Sequence, residues 1–265
     1  MTGEAISIEV RGLDAYWGDR KVLAGIDLAV RQGEIMVIMG GSGSGKSTLL
    51  NHLLGLLHPA AGSVRLLGRD LSALSSQEIL DLRRHMGVAF QGGALFSSLT
   101  VAENIMLPLE EHTRLDRKTM EIIVRLKLEV VNLAGFGHLM PSELSGGMTK
   151  RAALARAIVL DPRLLFCDEP SAGLDPVVSS AIDDLILRLR DAMGMTIVVV
   201  THDLDSAFKI ADRICVLDEG TIVALGTRAE IRASPVARVQ NLLNRRTEEA
   251  TLDTDAYLRR LLGES

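Results

Sequence analysis

Cysteine is scarce here: only two occur, Cys167 and Cys215, each inside an apolar run. No disulfide framework can hold the fold, and both read as small buried hydrophobes of a reducing compartment, which argues for the cytosol. Long hydrophobic runs are missing too. No stretch approaches the roughly 18 unbroken apolar residues that a membrane span requires, and Met-Thr-Gly-Glu opens without the basic start and apolar segment of a secretory signal. If such a chain works at a membrane, another must cross it. Charge of one sign is also lacking: 29 Lys and Arg against 34 Asp and Glu leave a net −5, and the basic residues occur mainly as isolated pairs such as Arg83-Arg84, Arg245-Arg246 and Arg259-Arg260. No stripe for nucleic acid results, so no nucleic-acid partner is expected. Among six histidines, His52, His58, His85, His112, His138 and His202, no metal-ligand spacing appears, which disfavours a zinc site. No internal repeat is found. What is present, 265 residues at 47% hydrophobic content, suffices for a substantial core.

Two kinds of strand pattern organise the chain. Ile6–Val10 and Ile26–Val30 alternate apolar and polar residues, as strands with one buried face do, and predict an antiparallel sheet at the start. Ile35–Met39, Leu164–Cys167 and Ile197–Val200 are continuous apolar runs, the pattern of parallel strands covered on both faces. Each ends in polar or glycine-rich residues and leads into a helical pattern, giving the strand–loop–helix succession of an α/β fold, whose ligands gather at the strands' carboxyl ends. Between Asp70 and Leu160 the pattern turns mostly helical, with helices expected at Ser75–Arg84, Val101–Leu107 and Asp116–Val131, and reads as an inserted helical subdomain. Arg213–Leu217 and Thr221–Leu225 read as strands about an Asp-Glu-Gly turn. Two amphipathic stretches, Val236–Leu243 and Leu252–Leu262, follow as a helical tail.

Gly40-Gly41-Ser42-Gly43-Ser44-Gly45-Lys46-Ser47 matches the phosphate-binding pattern GxxxxGK[ST], whose glycines let backbone N–H groups approach phosphate oxygens. A buried strand precedes it and a leucine-rich helix, Lys46 to Leu57, follows, as that geometry requires. Lys46 is expected at the β- and γ-phosphates and the Ser47 hydroxyl on Mg²⁺. Asp168 and Glu169 close another buried strand. Adjacent acids commonly just open a loop, but at this place Asp168 suits a Mg²⁺ shell and Glu169 can polarise the attacking water as a general base. His202 follows a third buried strand directly, where it can reach the γ-phosphate or simply cap the next helix.

A second glycine-rich helix start is harder to explain. In Leu144-Ser145-Gly146-Gly147-Met148-Thr149-Lys150-Arg151, Ser145 suits an N-cap, Gly146 and Gly147 leave amides exposed, and a helix runs on from Met148 to Leu160 until Asp161-Pro162. Unpaired amides at a helix start attract anions, though a capped structural helix is the default for Ser-Gly-Gly alone. Phosphate loop, Gln91 after a strand, Ser-Gly-Gly, Asp-Glu and His stand in order, and together the sequence resembles an ATP-binding cassette (ABC) ATPase across about residues 6–233. The resemblance makes Gly40–Thr48 the Walker A motif, Gln91 the Q-loop, Leu144–Met148 the signature, Leu164–Asp168 Walker B, Ser171–Asp175 the D-loop and His202 the switch histidine.

That resemblance implies a P-loop NTPase core of ABC type, α/β, with an N-terminal antiparallel β-subdomain, a helical subdomain inserted at about 70–160, and a C-terminal helical extension over 234–265. It implies ATP and Mg²⁺ as cofactors, with Ser47, Gln91 and Asp168 at the metal, Gln91 also catalytic beside Glu169 and His202, Thr48 and Asp175 at the nucleotide, and Ser145, Gly146 and Gly147 facing the γ-phosphate held by a second chain's phosphate loop. A single cassette per chain implies a homodimer with two composite sites. An adenine platform is expected at Tyr16-Trp17-Gly18. The family's spacing, with the aromatic just before the glycine, favours Trp17 over Tyr16, and either can serve as ordinary packing.

Met148 stands where the family's signature usually has glutamine. With Phe90–Leu109 (FQGGALFSSLTVAENIMLPL) and Asp168–Val177 (DEPSAGLDPV), it makes the chain similar to the ATPases of MCE-associated lipid transporters, the Mla and toluene-tolerance type. The implied function is ATP hydrolysis driving phospholipid or another hydrophobic molecule across or between bacterial envelope membranes. Implied partners are an integral permease meeting Gln91–Pro108, an MCE substrate-binding protein and a small STAS-type subunit, with the chain at the cytoplasmic face of the inner membrane. The tail after Ala233 is expected to clasp the other protomer or a partner. Alternatives are a cassette for another substrate, a soluble non-transport ABC ATPase, whose paired cassettes or long coiled-coil insertion are missing, and an ATP-dependent clamp without turnover. A switch-type GTPase is disfavoured because its base-reading Asn/Thr-Lys-x-Asp motif is missing.

Overall fold

The opening alternation becomes a long hairpin. In the computed structural model, which describes residues 5–244, β1 (Ile6–Trp17) and β2 (Arg20–Arg31) pair antiparallel across Gly18-Asp19. Both strands outrun the expected Ile6–Val10 and Ile26–Val30 because bulges interrupt the period of two. The register shifts between Val10 and Leu13, where Gly12 sits at φ +55° and its N–H donates to Asp27 Oδ1 at 2.8 Å. Opposite, the Gly25 N–H donates to Asp14 Oδ1 at 2.7 Å.

The elements that follow are β3 (Ile35–Met39), α1 (Lys46–Leu53), β4 (Ala61–Leu66), β5 (Arg69–Asp70), α2 (Ser76–Arg83) and β6 (Met86–Ala89). Then come α3 (Val101–His112), α4 (Arg117–Val130), α5 (Gly146–Ala157), β7 (Leu164–Asp168), α6 (Pro176–Met193) and β8 (Thr196–Val200). The described chain closes with α7 (Leu204–Ile210), β9 (Arg213–Asp218), β10 (Thr221–Thr227), α8 (Arg228–Arg232) and α9 (Ala237–Leu243). One sheet has four strands in the order β2-β1-β4-β5, and the other six in the order β10-β9-β3-β8-β7-β6. Among the described residues, only the β9–β10 pair of the larger sheet is antiparallel.

The continuous apolar runs are explained by two cores. Ile35, Val37 and Met39 of β3 face a cluster with α3 to α7, whereas Met36 and Ile38 face the hairpin sheet and Leu49, Leu50 and Leu53 of α1. Both faces of each strand are therefore covered, at about 1.5–3 kcal/mol for each fully buried aliphatic side chain. Cys167 and Cys215 lie in opposite clusters as free thiols. Burial pushes each thiol up to about 12, so both behave as the expected hydrophobes.

Helix α5 spans Gly146–Ala157 rather than Met148–Leu160, and three further departures from expectation have local reasons. Helix α1 ends at Leu53 rather than Leu57, with Gly55 just beyond in the left-handed region (φ +64°). Helix α3 runs through Pro108 to His112, because Val101, Ile105 and Leu109 bury one face in the core on both sides of the proline; that burial outweighs the lost backbone bond. Within the largely helical stretch between residues 70 and 160, Met86–Ala89 is an edge strand of the six-stranded sheet, paired with β7. It brings Phe90-Gln91 to the same sheet end as the phosphate loop.

Helix α9 anchors through buried Val239 and through Arg238, which pairs with Asp218 and, at 2.9 Å, with Glu219 on the β9–β10 turn. The second tail stretch, Leu252–Leu262, lies outside the described residues. Among the described residues no helix is long and apolar enough to cross a membrane.

Candidate active site

Three neighbouring strands, β3, β8 and β7, release their carboxyl ends side by side and carry the phosphate loop, Thr201-His202 and Asp168-Glu169. This is where ligands of parallel sheets collect. The loop is built for close approach. A side chain at Gly40 (φ +156°) would collide with the Leu217 carbonyl, and one at Gly45 (φ +104°) would lie 2.6 Å from Leu23 Cδ2, so neither position admits a Cβ. Gly41, Ser42 and Gly43 are exposed, Ser44 is buried, and Gly45 caps α1. Lys46 folds over the loop, its Nζ donating to the carbonyls of Gly40 (2.8 Å) and Gly41 (2.7 Å). Burial pulls Lys46 below the usual ammonium range, with Glu169 and Asp168 acting against it.

Ser47 is exposed beside the loop and Thr48 is buried. The Trp17 indole Nε1 donates to Thr48 Oγ1 at 3.5 Å, and its ring, 63% exposed, lines a cavity of about 680 Å³ with Ser42, Gly43, Ser44, Asp218 and Glu219. Tyr16 does not line this cavity; the Lys21 ammonium stands 5.6 Å from its ring centroid. Of the two aromatic candidates, Trp17 is thus the one beside the loop.

Burial, helped by the charge of Glu169, holds the Asp168 carboxyl above its usual range, with Lys150 and Lys46 opposing. A carboxylate in that condition gains from a cation. The oxygen donors of Ser47, Asp168 and Gln91 are hard ligands of the kind Mg²⁺ takes. Glu169 has φ +47°, a left-handed conformation costing about 1–2 kcal/mol for a residue with a Cβ. Its N–H donates to the Val200 carbonyl (2.8 Å), which turns the side chain, only 12% exposed, back toward β8. There Oε2 accepts from Thr201 Oγ1 (3.2 Å) and Oε1 from His202 Nδ1 (2.7 Å). His202, 70% exposed, therefore presents Nε2 outward, into a cavity of about 850 Å³ shared with the loop Ser171–Pro176. The cap of α7 is Asp203, so His202 is free of that role.

The second glycine-rich start is at a different place. Ser145 Oγ accepts from the Met148 N–H (3.3 Å) as the N-cap of α5. A Cβ at Gly147 would lie 2.6 Å from Val178 Cγ1 and one at Gly146 3.1 Å from Leu174 Cδ2, so both glycines let α5 start against the entrance of α6. Among the described residues no hydrogen bond joins Ser145–Gly147 to Gly40–Thr48 of the same chain. Asp175, expected at the nucleotide, caps α6, with Oδ1 accepting from the Val177 and Val178 amides at 3.0 Å each.

Two residues passed over by sequence reasoning belong to the site. Thr201, buried, orients Glu169, and Lys150 donates to the carbonyls of Gln91 and Glu169, the latter at 2.9 Å. Lys150 stands inside the Leu144–Arg151 stretch, but nothing local in the sequence shows where its ammonium goes.

Residues 23–172 match the ABC transporter family, and the chain belongs to that family, as an ATP-binding and ATP-hydrolysing cassette. Over 236 residues, 89% of either chain, it is 43% identical to the intermembrane phospholipid transport system ATP-binding protein MlaF of Haemophilus influenzae. Over 241 residues, 91% of this chain and 70% of the other, it is 39% identical to a probable ribonucleotide transport ATP-binding protein, mkl, of Mycobacterium leprae. Among solved structures it resembles the ATP-binding cassette MJ0796, a dimer in a post-hydrolysis state bound to ADP and phosphate. There the TM-score is 0.77 at 31% identity, covering 83% of this chain and 98% of that one.

Proposed function

We propose that this chain powers movement of phospholipid or another hydrophobic molecule across or between bacterial envelope membranes, working as a homodimer bound to an integral permease at the cytoplasmic face of the inner membrane. The observation carrying the substrate class is the 43% identity to MlaF over 89% of both chains. The dimer is supported by the dimeric MJ0796 cassette and by the seating of Gly146 and Gly147 against Leu174 and Val178, with no hydrogen bond to their own phosphate loop among the described residues. An MCE-domain substrate-binding protein and a STAS-type small subunit complete the assembly in this reading.

In the site, the Gly40–Ser47 amides and Lys46 hold the triphosphate, Trp17 faces the adenine, and Ser145, Gly146 and Gly147 of the partner close on the γ-phosphate, with Asp175 at the dimer seam. Ser47, Asp168 and Gln91 would hold Mg²⁺, which neutralises charge on the β- and γ-phosphate oxygens when bound. Glu169 takes the proton of the attacking water, and Thr201 and His202 orient its carboxylate. His202→Ala is expected to lower kcat by about 10²-fold with ATP affinity little changed, since it removes the Nδ1 partner that fixes the Glu169 carboxylate; an unaltered rate removes His202 from the chemistry.

The test of substrate class is purification of the tagged chain from membranes with its native partners, then reconstitution with labelled phospholipid. A permease and an MCE protein in the purified complex, with ATP-dependent lipid movement, is the expected result. The relation to mkl favours one second reading, a nucleotide cargo: ribonucleotide uptake by the same vesicles without lipid movement would replace the first reading with it.

A further inference from the structure

Helix α5 does more than present Ser145. Lys150, in its second turn, extends its ammonium to two carbonyls from distant parts of the chain, Gln91 and Glu169. The loop after Gln91 lies tight on α5: Gly93 and Ala94 are both left-handed (φ +75° and +49°), and a Cβ at Gly93 would be 2.9 Å from Thr149 Cγ2. Arg156, also on α5, donates to the carbonyls of Ala94 (2.8 Å) and Gly93 (3.0 Å), but only Lys150 also reaches the Glu169 turn. At that turn the backbone is in its left-handed conformation, and a charged donor on the Glu169 carbonyl holds it there, fixing where the carboxylate points.

We propose that Lys150 is a positioning residue for hydrolysis, tying the turn that carries Glu169 and the loop at Gln91 to the first turns of α5, so that the placement of this helix sets the placement of the carboxylate. The assignment rests on Glu169 being the base. The ammonium is partly buried, and burial lowers its proton affinity while Glu169 and Asp168 raise it; all three charges therefore sit in one electrostatic neighbourhood. The consequence is directional. Contacts made at the Ser145 end of α5 are felt at Glu169 through a connection of one side chain.

The experiment is a double-mutant cycle on the full-length chain with turnover and ATP binding both measured, the latter by fluorescence of Trp17, the single tryptophan. Lys150→Met is expected to lower kcat about 10-fold with the ATP dissociation constant within about 2-fold, and Lys150→Arg, which keeps the donors, to recover most of the rate. In a Glu169→Gln background the Lys150→Met penalty should vanish, because a residue acting through Glu169 has nothing left to position. A wild-type kcat for Lys150→Met, or the same penalty in both backgrounds, overturns the proposal. A fully active Glu169→Gln chain overturns instead the role of Glu169 on which it rests. If Lys150→Met does not fold, Lys150→Gln, which retains one neutral donor, is carried through the same cycle with the same criteria.

Discussion

Glu169→Gln leaves ATP bound and stops its hydrolysis: turnover is expected to fall by about 10²–10⁴-fold, the range that a lost general base produces. The change is nearly isosteric at a side chain held by Thr201 and His202, so the phosphate loop and the fold should be undisturbed. The left-handed backbone at Glu169 is strained equally for either residue. What disappears is the capacity to take a proton. With hydrolysis blocked and ATP still held, the closed dimer should persist, and size-exclusion chromatography in ATP should show a dimer peak that the wild-type chain loses as it turns over. Lys46→Ala provides the contrast, because it removes the ammonium over the loop and should weaken binding itself. A Glu169→Gln chain that hydrolyses ATP at the wild-type rate would falsify the assignment of the base.

Much of this site was legible because its parts are local. A phosphate loop is contiguous, and the buried runs Ile35–Met39, Leu164–Cys167 and Ile197–Val200 are apolar at every residue because both sheet faces are covered. Capping was equally local: Ser145 and Asp116 each accept from an amide three residues on. The misses arise where a short pattern is overridden by something distant. Gly12 and Gly25 hide the true length of the hairpin by inserting bulges, and Pro108 reads as a helix end but is carried through by burial of Leu109. Lys150 meets Gln91 and Glu169 across 59 and 19 residues of sequence, so no local pattern could assign its partners. Trp17 and Tyr16 are neighbours on one strand whose side chains alternate in direction, and which ring meets Thr48 depends on a residue about thirty positions on, in α1.

Two inactive chains should make one active site. Lys46→Ala removes the phosphate-loop ammonium, while Ser145→Arg puts a long side chain at the start of α5, where the amides of Gly146 and Gly147 would otherwise meet a phosphate. Losing the Ser145 cap costs about 1 kcal/mol, too little to unfold a chain whose α5 buries Ala152, Ala153, Leu154 and Ala155. Each variant alone carries its defect at both symmetry-related sites and should lose roughly 10²-fold or more in turnover. Co-expressed in equal amounts, half of the dimers are mixed. In these, the intact phosphate loop of the Ser145→Arg chain faces the intact α5 start of the Lys46→Ala chain, while the other site bears both lesions. The mixture should therefore recover about a quarter of wild-type turnover, a gain well above either parent. Recovery should track the mixed dimer isolated through two different tags and be lost on dilution below its dissociation constant. A mixture no more active than its parents would mean either that the two composite sites fire only together or that each chain closes on its own nucleotide, and in the second case the second glycine-rich helix start would have to be explained by packing against Leu174 and Val178 alone.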